Sequence, residues 1–482
     1  MSTAEVYALV KYDNLPLPQT HPSHLYALGK LAGLQPAAVE TCRVLELGSN
    51  QGSNLVPMAH HFPKAEFVGV DLAVESVERG RACARELGLR NLRLEAMDLL
   101  AIDKSYGPFD YIIAHGVYGW TPEIVTDKVL EIMGALLSPH GMGFVSYNLQ
   151  PVGYIRKMVR EMLLFHARDA ANPVEKLAKT REMLSALTRP RDVDRMDAYD
   201  AVLVAHARDL LLSTDSTLMH DDLSASYEPI AFTAFVAHAR SHGLQYVNDA
   251  GKLDPQGAAG PRGMDEEGVR ISRAMAGGER IVELQYQDYL RMRRFRQSVL
   301  CRAELPVALE WRPGAALGLH ASTRAAEVSP NVFEVEGEFQ MSISHPSPVT
   351  YLRRLIALAP ASEAVSAMDA DLAAALFNAG VIQLHGAASL AVRARERPCA
   401  GELIRFQARR GDKAVSNLRH EPLEVDDGMR RLLVLLDGTR DCETLAEAAG
   451  CTVEEMRREL DDFAAHGLLI ESRAAASLNK LS

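Results

Sequence analysis

The chain has 482 residues, 48% of them hydrophobic and 24% charged, with a formal net charge of −11. Single cores stop growing near ~250–300 residues, so this length predicts two to four domains. The acidic balance disfavours a general nucleic-acid or anionic-membrane binder, and no apolar run reaches the ~18–20 residues of a membrane span. Met1-Ser2-Thr3-Ala4-Glu5-Val6-Tyr7 lacks the basic-then-apolar pattern of a signal peptide. Six scattered cysteines without C-x-x-C spacing read as the reduced thiols of a cytoplasmic protein.

In chain order, Pro16, Pro18 and Pro22 forbid a helix in the opening segment. A short helix capped by Ser23 is expected next, with Leu25, Leu28, Leu31 and Ala32 on one face. From Arg43 to Asn148 strands and helices alternate. Strands are expected at Val44–Leu47, Glu66–Val70, Leu92–Ala96, Tyr111–Ala114 and Gly143–Tyr147, and helices near Asn54–His61, Val74–Leu87 and Pro122–Leu137, the last capped by Thr121. Such alternation predicts a mostly parallel sheet with ligands bound beyond the carboxyl ends of its strands. After Asn148 the chain turns helical over Gly153–Leu212, Pro229–Gly243 and Arg280–Leu300, with a loop over Asp249–Gly268. Two helix-and-strand modules, Pro348–Leu384 and Met429–Ile470, have the pattern of winged helices.

The chemistry begins at Arg43-Val44-Leu45-Glu46-Leu47-Gly48-Ser49-Asn50-Gln51-Gly52, a strand that runs into a glycine loop and then a helix from Asn54. A dinucleotide site requires G-x-G-x-x-G, with amides aimed at a pyrophosphate. Asn50 stands at its middle glycine, and Glu46 can accept from an ammonium or from ribose hydroxyls, so the loop suits S-adenosylmethionine (SAM), which has no phosphate. Asp71, at the end of the second strand, fits the ribose diol, although it could instead cap the next helix. Asp98 fits the adenine amino group, with Met97 and Leu72 on the ring faces; loop capping and core packing are their alternatives. Ala114-His115-Gly116-Val117-Tyr118-Gly119-Trp120 reads as an active-site wall, because aromatic faces attract a sulfonium or an ammonium. Tyr147-Asn148 is expected at the same crevice, and Tyr118 and Trp120 could alternatively plug a domain junction. Methyl transfer needs alignment above all. Tyr12, Asp13, His115, Tyr118 and Tyr147 are the candidates to orient a nucleophile or collect its proton.

No metal ligand set is expected. His60 and His61 are helical neighbours that do not converge on one ion. The run Arg291–Arg296 reads as a solvated helix face with paired carboxylates. The chain contains no G-x-S-x-G, H-E-x-x-H or G-x-x-x-x-G-K-[ST].

Several segments together resemble the bacterial class I SAM-dependent methyltransferases with an attached methyltransferase regulatory domain, and are similar to the rickettsial protein lysine methyltransferases. They are Tyr12-Asp13 with Gln19-Thr20-His21-Pro22, Glu46-Leu47-Gly48 with Gly52 and Asn54, Phe109–Tyr118, Ser146-Tyr147-Asn148, Met158–Ala167, His220-Asp221-Asp222-Leu223 with Glu228-Pro229, Phe235–Ala250, Gln285–Gln297 and Leu435–Arg440. Two segments depart from the family: Tyr147-Asn148-Leu149-Gln150-Pro151-Val152-Gly153-Tyr154 stands where Tyr-Asn-Thr and Pro-Gly-Trp are common, and the stretch before Gln19 is short.

The resemblance implies a Rossmann-like seven-stranded domain over 1–150 with an N-terminal extension. A helical regulatory region over 151–305 and winged-helix-like modules over 306–395 and 396–482 would follow. It also implies SAM held by Glu46, Gly48, Asp71 and Asp98, leaving S-adenosylhomocysteine as product; the reading of the loop and strand ends adds Asn50, Gly52, Asn54, Leu72, Met97 and His115 as expected cofactor contacts. The methyl-transfer site would be lined by Tyr118 and Trp120. The expected activity is N-methylation of lysine in a protein substrate, with a homodimer as the candidate assembly. A small-molecule or peptide natural-product methyltransferase, or a SAM-binding regulator with little turnover, are the alternatives; a nicotinamide oxidoreductase fits the loop least.

Overall fold

The computed structural model describes residues 15–189, 196–251, 265–308, 311–335 and 339–471. The first helix, α1 (Pro22–Leu31), begins two residues earlier than a Ser23 cap would set it, because Pro22 occupies the first turn and His21 caps it through its ring. Ser23 is used elsewhere: its Oγ accepts from the amides of Gly386 and Ala387.

Then come β1 (Arg43–Leu47), α2 (Leu55–His61), β2 (Glu66–Asp71), α3 (Val74–Glu86), β3 (Leu92–Ala96), β4 (Phe109–Ala114), α4 (Glu123–Leu136) and β5 (Leu137–Asn148). These match the expected elements closely, except that α4 is entered through Pro122, with no side-chain cap from Thr121. Next are α5 (Gly153–His166), α6 (Pro173–Leu187), α7 (Ala198–Leu211), α8 (Phe232–Ser241), β6 (Leu244–Asp249), α9 (Glu266–Met275), α10 (Arg280–Leu290) and β7 (Phe295–Arg302).

The sheet order is β3-β2-β1-β4-β5-β7-β6. β1 to β5 pair in parallel and β7 runs antiparallel between β5 and β6. The last two strands therefore come from residues 244–302, and the domain edge expected at residue 150 cuts through the sheet. Two readings are corrected with it. The segment Arg280–Leu300 is not one helix: Met292, with φ of 49°, breaks it and the chain re-enters the sheet as β7. The basic run is not a solvated face either. Arg296 is 2% exposed, lies 3.8 Å above the Phe232 ring, and is paired with Asp288 and Asp249. The polar Arg296-Gln297-Ser298 disguised a strand that is buried on both faces.

Strand alternation sends one set of side chains to each layer. Val44, Phe67, Tyr111, Ile113 and Phe144 pack with α1 and α2. Leu45, Val68, Ile112, Val145 and Tyr147 pack with α4 and α8. The helices α5, α6 and α7 share a separate small core.

Residues from 311–335 and 339–384 pack onto the α1 and α2 side, with helices α11 (Pro346–Leu358) and α12 (Ala370–Asn378). Four more helices close the described chain: α13 (Glu402–Arg410), α14 (Asp427–Leu435), α15 (Cys442–Ala449) and α16 (Val453–Ala465). A two-stranded ribbon, Ala414–Ser416 with Pro422–Glu424, accompanies them on their own core. No helix among the described residues is long and apolar enough to cross a membrane.

Candidate active site

β1 delivers Glu46 near its carboxyl end, between Gly69 of β2 and Ile113 of β4. Gly48 then turns the chain with φ of 76°. A Cβ there would lie 2.7 Å from Val117 Cγ2, so glycine is demanded twice, by conformation and by space. Asn50 adopts φ of 50°, a conformation asparagine tolerates better than most residues. Its amide donates to Asp71 Oδ2 at 2.7 Å, and the Ala73 amide donates to Asp71 Oδ1 at 2.8 Å. Asp71 therefore shapes the loop while keeping further lone pairs, and burial raises its pKa.

Glu46 is 4% exposed. Its Oε1 accepts from Asn54 Nδ2 at 2.8 Å, while Oε2 is buried with no hydrogen-bond partner among the described residues. Burial lifts its pKa to about 8; the Asn54 bond opposes this and the Asp71 charge adds to it. A buried carboxylate with one unmatched oxygen is costly. A cationic ligand would relieve it.

Asn54 is the hub behind Glu46. Besides that bond, its Nδ2 donates to Thr20 Oγ1 at 3.0 Å, and its Oδ1 accepts from the Leu17 amide at 3.0 Å. His420, from the turn of the C-terminal ribbon, meets the same Oδ1 through Nε2 at 2.7 Å. Burial holds the rings of His21 and His420 neutral, 5.0 Å apart. Thr20 and His21 belong to a motif visible in the sequence. His420 carried no such signal, since 366 residues separate it from Asn54.

The expected adenine side is mixed. Leu72 is 55% exposed, so core packing is not its role. Met97 is half-buried and its amide donates to the Asp71 carbonyl at 2.9 Å, which fixes it beside that residue. Asp98 Oδ1 accepts from the Leu100 amide, the capping use anticipated as its alternative.

The aromatic wall is not gathered around Glu46. Tyr147 alternates into the α4 and α8 layer, opposite Glu46, and stacks 4.1 Å from Phe235 with its hydroxyl on Ser298. Tyr118 joins the same cluster, 5.8 Å from Tyr147, with its hydroxyl 2.9 Å from His238 Nδ1. Burial raises both phenol pKa values, so neither serves as a base near neutrality. The residues of β5 that share the Glu46 layer are instead Ser146, whose Oγ accepts from the Gly116 amide at 3.0 Å, and Asn148. Trp120 is covered by the Arg156 guanidinium at 5.0 Å and by Tyr227, a junction plug. Arg156 is in turn neutralised by Asp222 at 2.8 Å. His115 sits beside Phe144 and Phe295, with burial lowering its pKa to about 4, so it presents a neutral imidazole that does not repel a cation. Tyr12 and Asp13 lie outside the described residues.

Three family models match in series. Residues 38–185 match a "Methyltransferase domain", 214–302 a "Predicted methyltransferase regulatory domain", and 396–467 a "PKMT, C-terminal winged helix domain". The uncharacterized protein RP028 of Rickettsia prowazekii is 34% identical over 236 residues, which span 48% of this chain and 94% of that protein. The chain belongs to the class I SAM-dependent methyltransferases that carry a regulatory domain. A second uncharacterized protein of that organism, RP789, is 28% identical over 92% of this chain and 85% of its own. The methyltransferase also shares its fold with PKMT2 from Rickettsia typhi, solved in complex with AdoHcy. The TM-score is 0.80 at 22% identity, covering 95% of this chain and 100% of that one. The regulatory match contains β6 and β7, so in this methyltransferase the regulatory segment completes the catalytic sheet.

Proposed function

We propose that this methyltransferase N-methylates lysine side chains of a protein substrate, with Glu46, Asp71, Leu72, Met97 and Asp98 holding SAM. The observation that carries the cofactor placement is the buried, unmatched Oε2 of Glu46 beside the left-handed Gly48. That pocket fits SAM: a carboxylate awaits the ammonium of the methionine part, and Asp71 stands on the next strand for the ribose diol. When bound, SAM supplies a methyl group activated by a sulfonium leaving group. The chain's own work is to align the acceptor and to exclude water from it. Desolvation also lowers the pKa of an arriving lysine toward its nucleophilic form. Lysine and a protein acceptor are supported by the winged-helix match named for PKMT and by the full-length likeness to PKMT2. Six free cysteines support a reducing compartment, the cytoplasm.

The test incubates the full chain with methyl-labelled SAM and fractionated proteins of its own cell, followed by acid hydrolysis. Label recovered as methyl-lysine is the expected outcome. Label confined to low-mass material would replace the protein acceptor with a metabolite. SAM binding without any transfer would leave a regulator, a reading favoured by the Arg156 cover on Trp120.

A further inference from the structure

Asp127 on α4, with His238 and His242 at the end of α8, places two imidazole nitrogens and a carboxylate oxygen within 4.8 Å of one another. The two histidines are one helical turn apart and so project on the same side of the helix. His238 Nε2 is 2.9 Å and His242 Nε2 2.7 Å from the same Asp127 Oδ1. Gly134, two turns along α4 from Asp127, fixes the spacing: a Cβ there would lie 2.2 Å from the His242 carbonyl oxygen. The backbones of the two ligand-bearing segments are therefore in direct contact, and the triad is held at a set distance. The other nitrogen of His238, Nδ1, is 2.9 Å from the Tyr118 hydroxyl, which is the kind of partner that orients a metal-bound imidazole.

We propose that Asp127, His238 and His242 bind one divalent transition-metal ion of the zinc class, pinning the regulatory helix α8 to the catalytic helix α4. Two imidazoles and one carboxylate select Zn2+, Co2+ or Ni2+ over Mg2+ and Ca2+, which take mostly oxygen. Zinc bonds of about 2.0–2.2 Å put tetrahedral ligand atoms about 3.3 Å apart, so each imidazole nitrogen moves roughly half an ångström away from Asp127 Oδ1 to admit the ion. A water fills the fourth position. Metal binding at Nε2 takes the imidazole in the tautomer with its hydrogen on Nδ1. In His238 that Nδ1–H donates to the Tyr118 oxygen, so the phenol proton turns away from the ring. The ion thereby sets which hydrogen-bonding face Tyr118 offers at the exit of β4.

The test uses the full chain without a polyhistidine tag, stripped with EDTA and titrated with Zn2+ against a chromophoric chelator. One equivalent is expected to bind, and Co2+ at the same stoichiometry is expected to give visible ligand-field bands. Asp127→Asn and His242→Gln, at partly exposed positions that leave the core intact, are each expected to weaken binding at least about 100-fold. Tyr118→Phe is expected to weaken it about 10–100-fold, the usual cost of losing an outer partner. His60→Gln, in the other histidine pair, leaves it unchanged. Absence of a stoichiometric site, or a site untouched by both Asp127→Asn and His242→Gln, overturns the proposal and leaves a carboxylate that simply accepts from two imidazoles.

Discussion

Two buried acids serve the same sheet and are treated in opposite ways. Asp288, beside β7, gives both carboxylate oxygens to Arg296, at 2.8 and 3.0 Å, and that guanidinium lies over Phe232. Glu46, at the end of β1, has one oxygen held by Asn54 and the other held by nothing among the described residues. Burial alone therefore does not mark function. A buried acid with its counter-charge built in is scaffold, whereas one left half-satisfied has the character the proposed SAM site requires, that of a group whose partner comes from solution.

The largest expected effect lies on the scaffold side. Asp288→Ala strands the Arg296 guanidinium and is expected to cost about 3–5 kcal/mol of stability, read by urea unfolding. A loss below 1 kcal/mol would mean that Asp249 suffices, and would blur the contrast.

On the half-satisfied side, Glu46→Gln is expected to weaken SAM binding by about 1.5–3 kcal/mol in calorimetry while leaving the fold intact. Equal affinity would remove Glu46 from the site. Gly48→Ala is expected to cost about 1–3 kcal/mol through a left-handed alanine and the Val117 contact, seen as a lowered Tm and weaker binding.

The pH dependence sharpens the comparison further. Glu46 has its folded pKa raised to about 8, so the ligand-free protein retains a proton that the unfolded chain gives up near the ordinary carboxylate value. This group therefore makes the ligand-free fold less stable as pH rises toward 8, with no further change above it. A cationic ligand needs the ionised form, so affinity for SAM is expected to rise by up to about tenfold per pH unit below pH 8 and then to level off. Calorimetry in two buffers of different ionisation enthalpy reports the released proton, and Glu46→Gln should abolish that release. The smallest effect is expected from His420→Ala, about 1 kcal/mol, because Asn54 Oδ1 keeps the Leu17 amide as a donor.

Much of this contrast was legible in the chain and some of it was not. The strand Arg43–Leu47, its glycine loop and Asp71 stand within about thirty residues, and alternation together with the positive-φ requirement of Gly48 announces them. Tyr118 and Tyr147 also stood out as residues. Their side of the sheet did not, because a loop and a strand end can turn an aromatic ring toward either layer. The strand β7 was hidden by Arg296, which looks solvated until Asp249, Asp288 and Phe232 are brought around it.

The sequence by itself determined the alternating strands and helices, the carboxylate-and-glycine loop after the first strand and the family, since each is written in short-range spacing and in backbone conformations only certain residues adopt. Only the tertiary structure decided that residues 244–302 finish the sheet, that His420 braces Asn54 and that Asp127 meets His238 and His242. Those contacts join residues that lie 111 to 366 positions apart or close a sheet across a helical insertion. The physical reason is that long-range partners are selected by packing of whole layers, which leaves no local periodicity for a single chain to display.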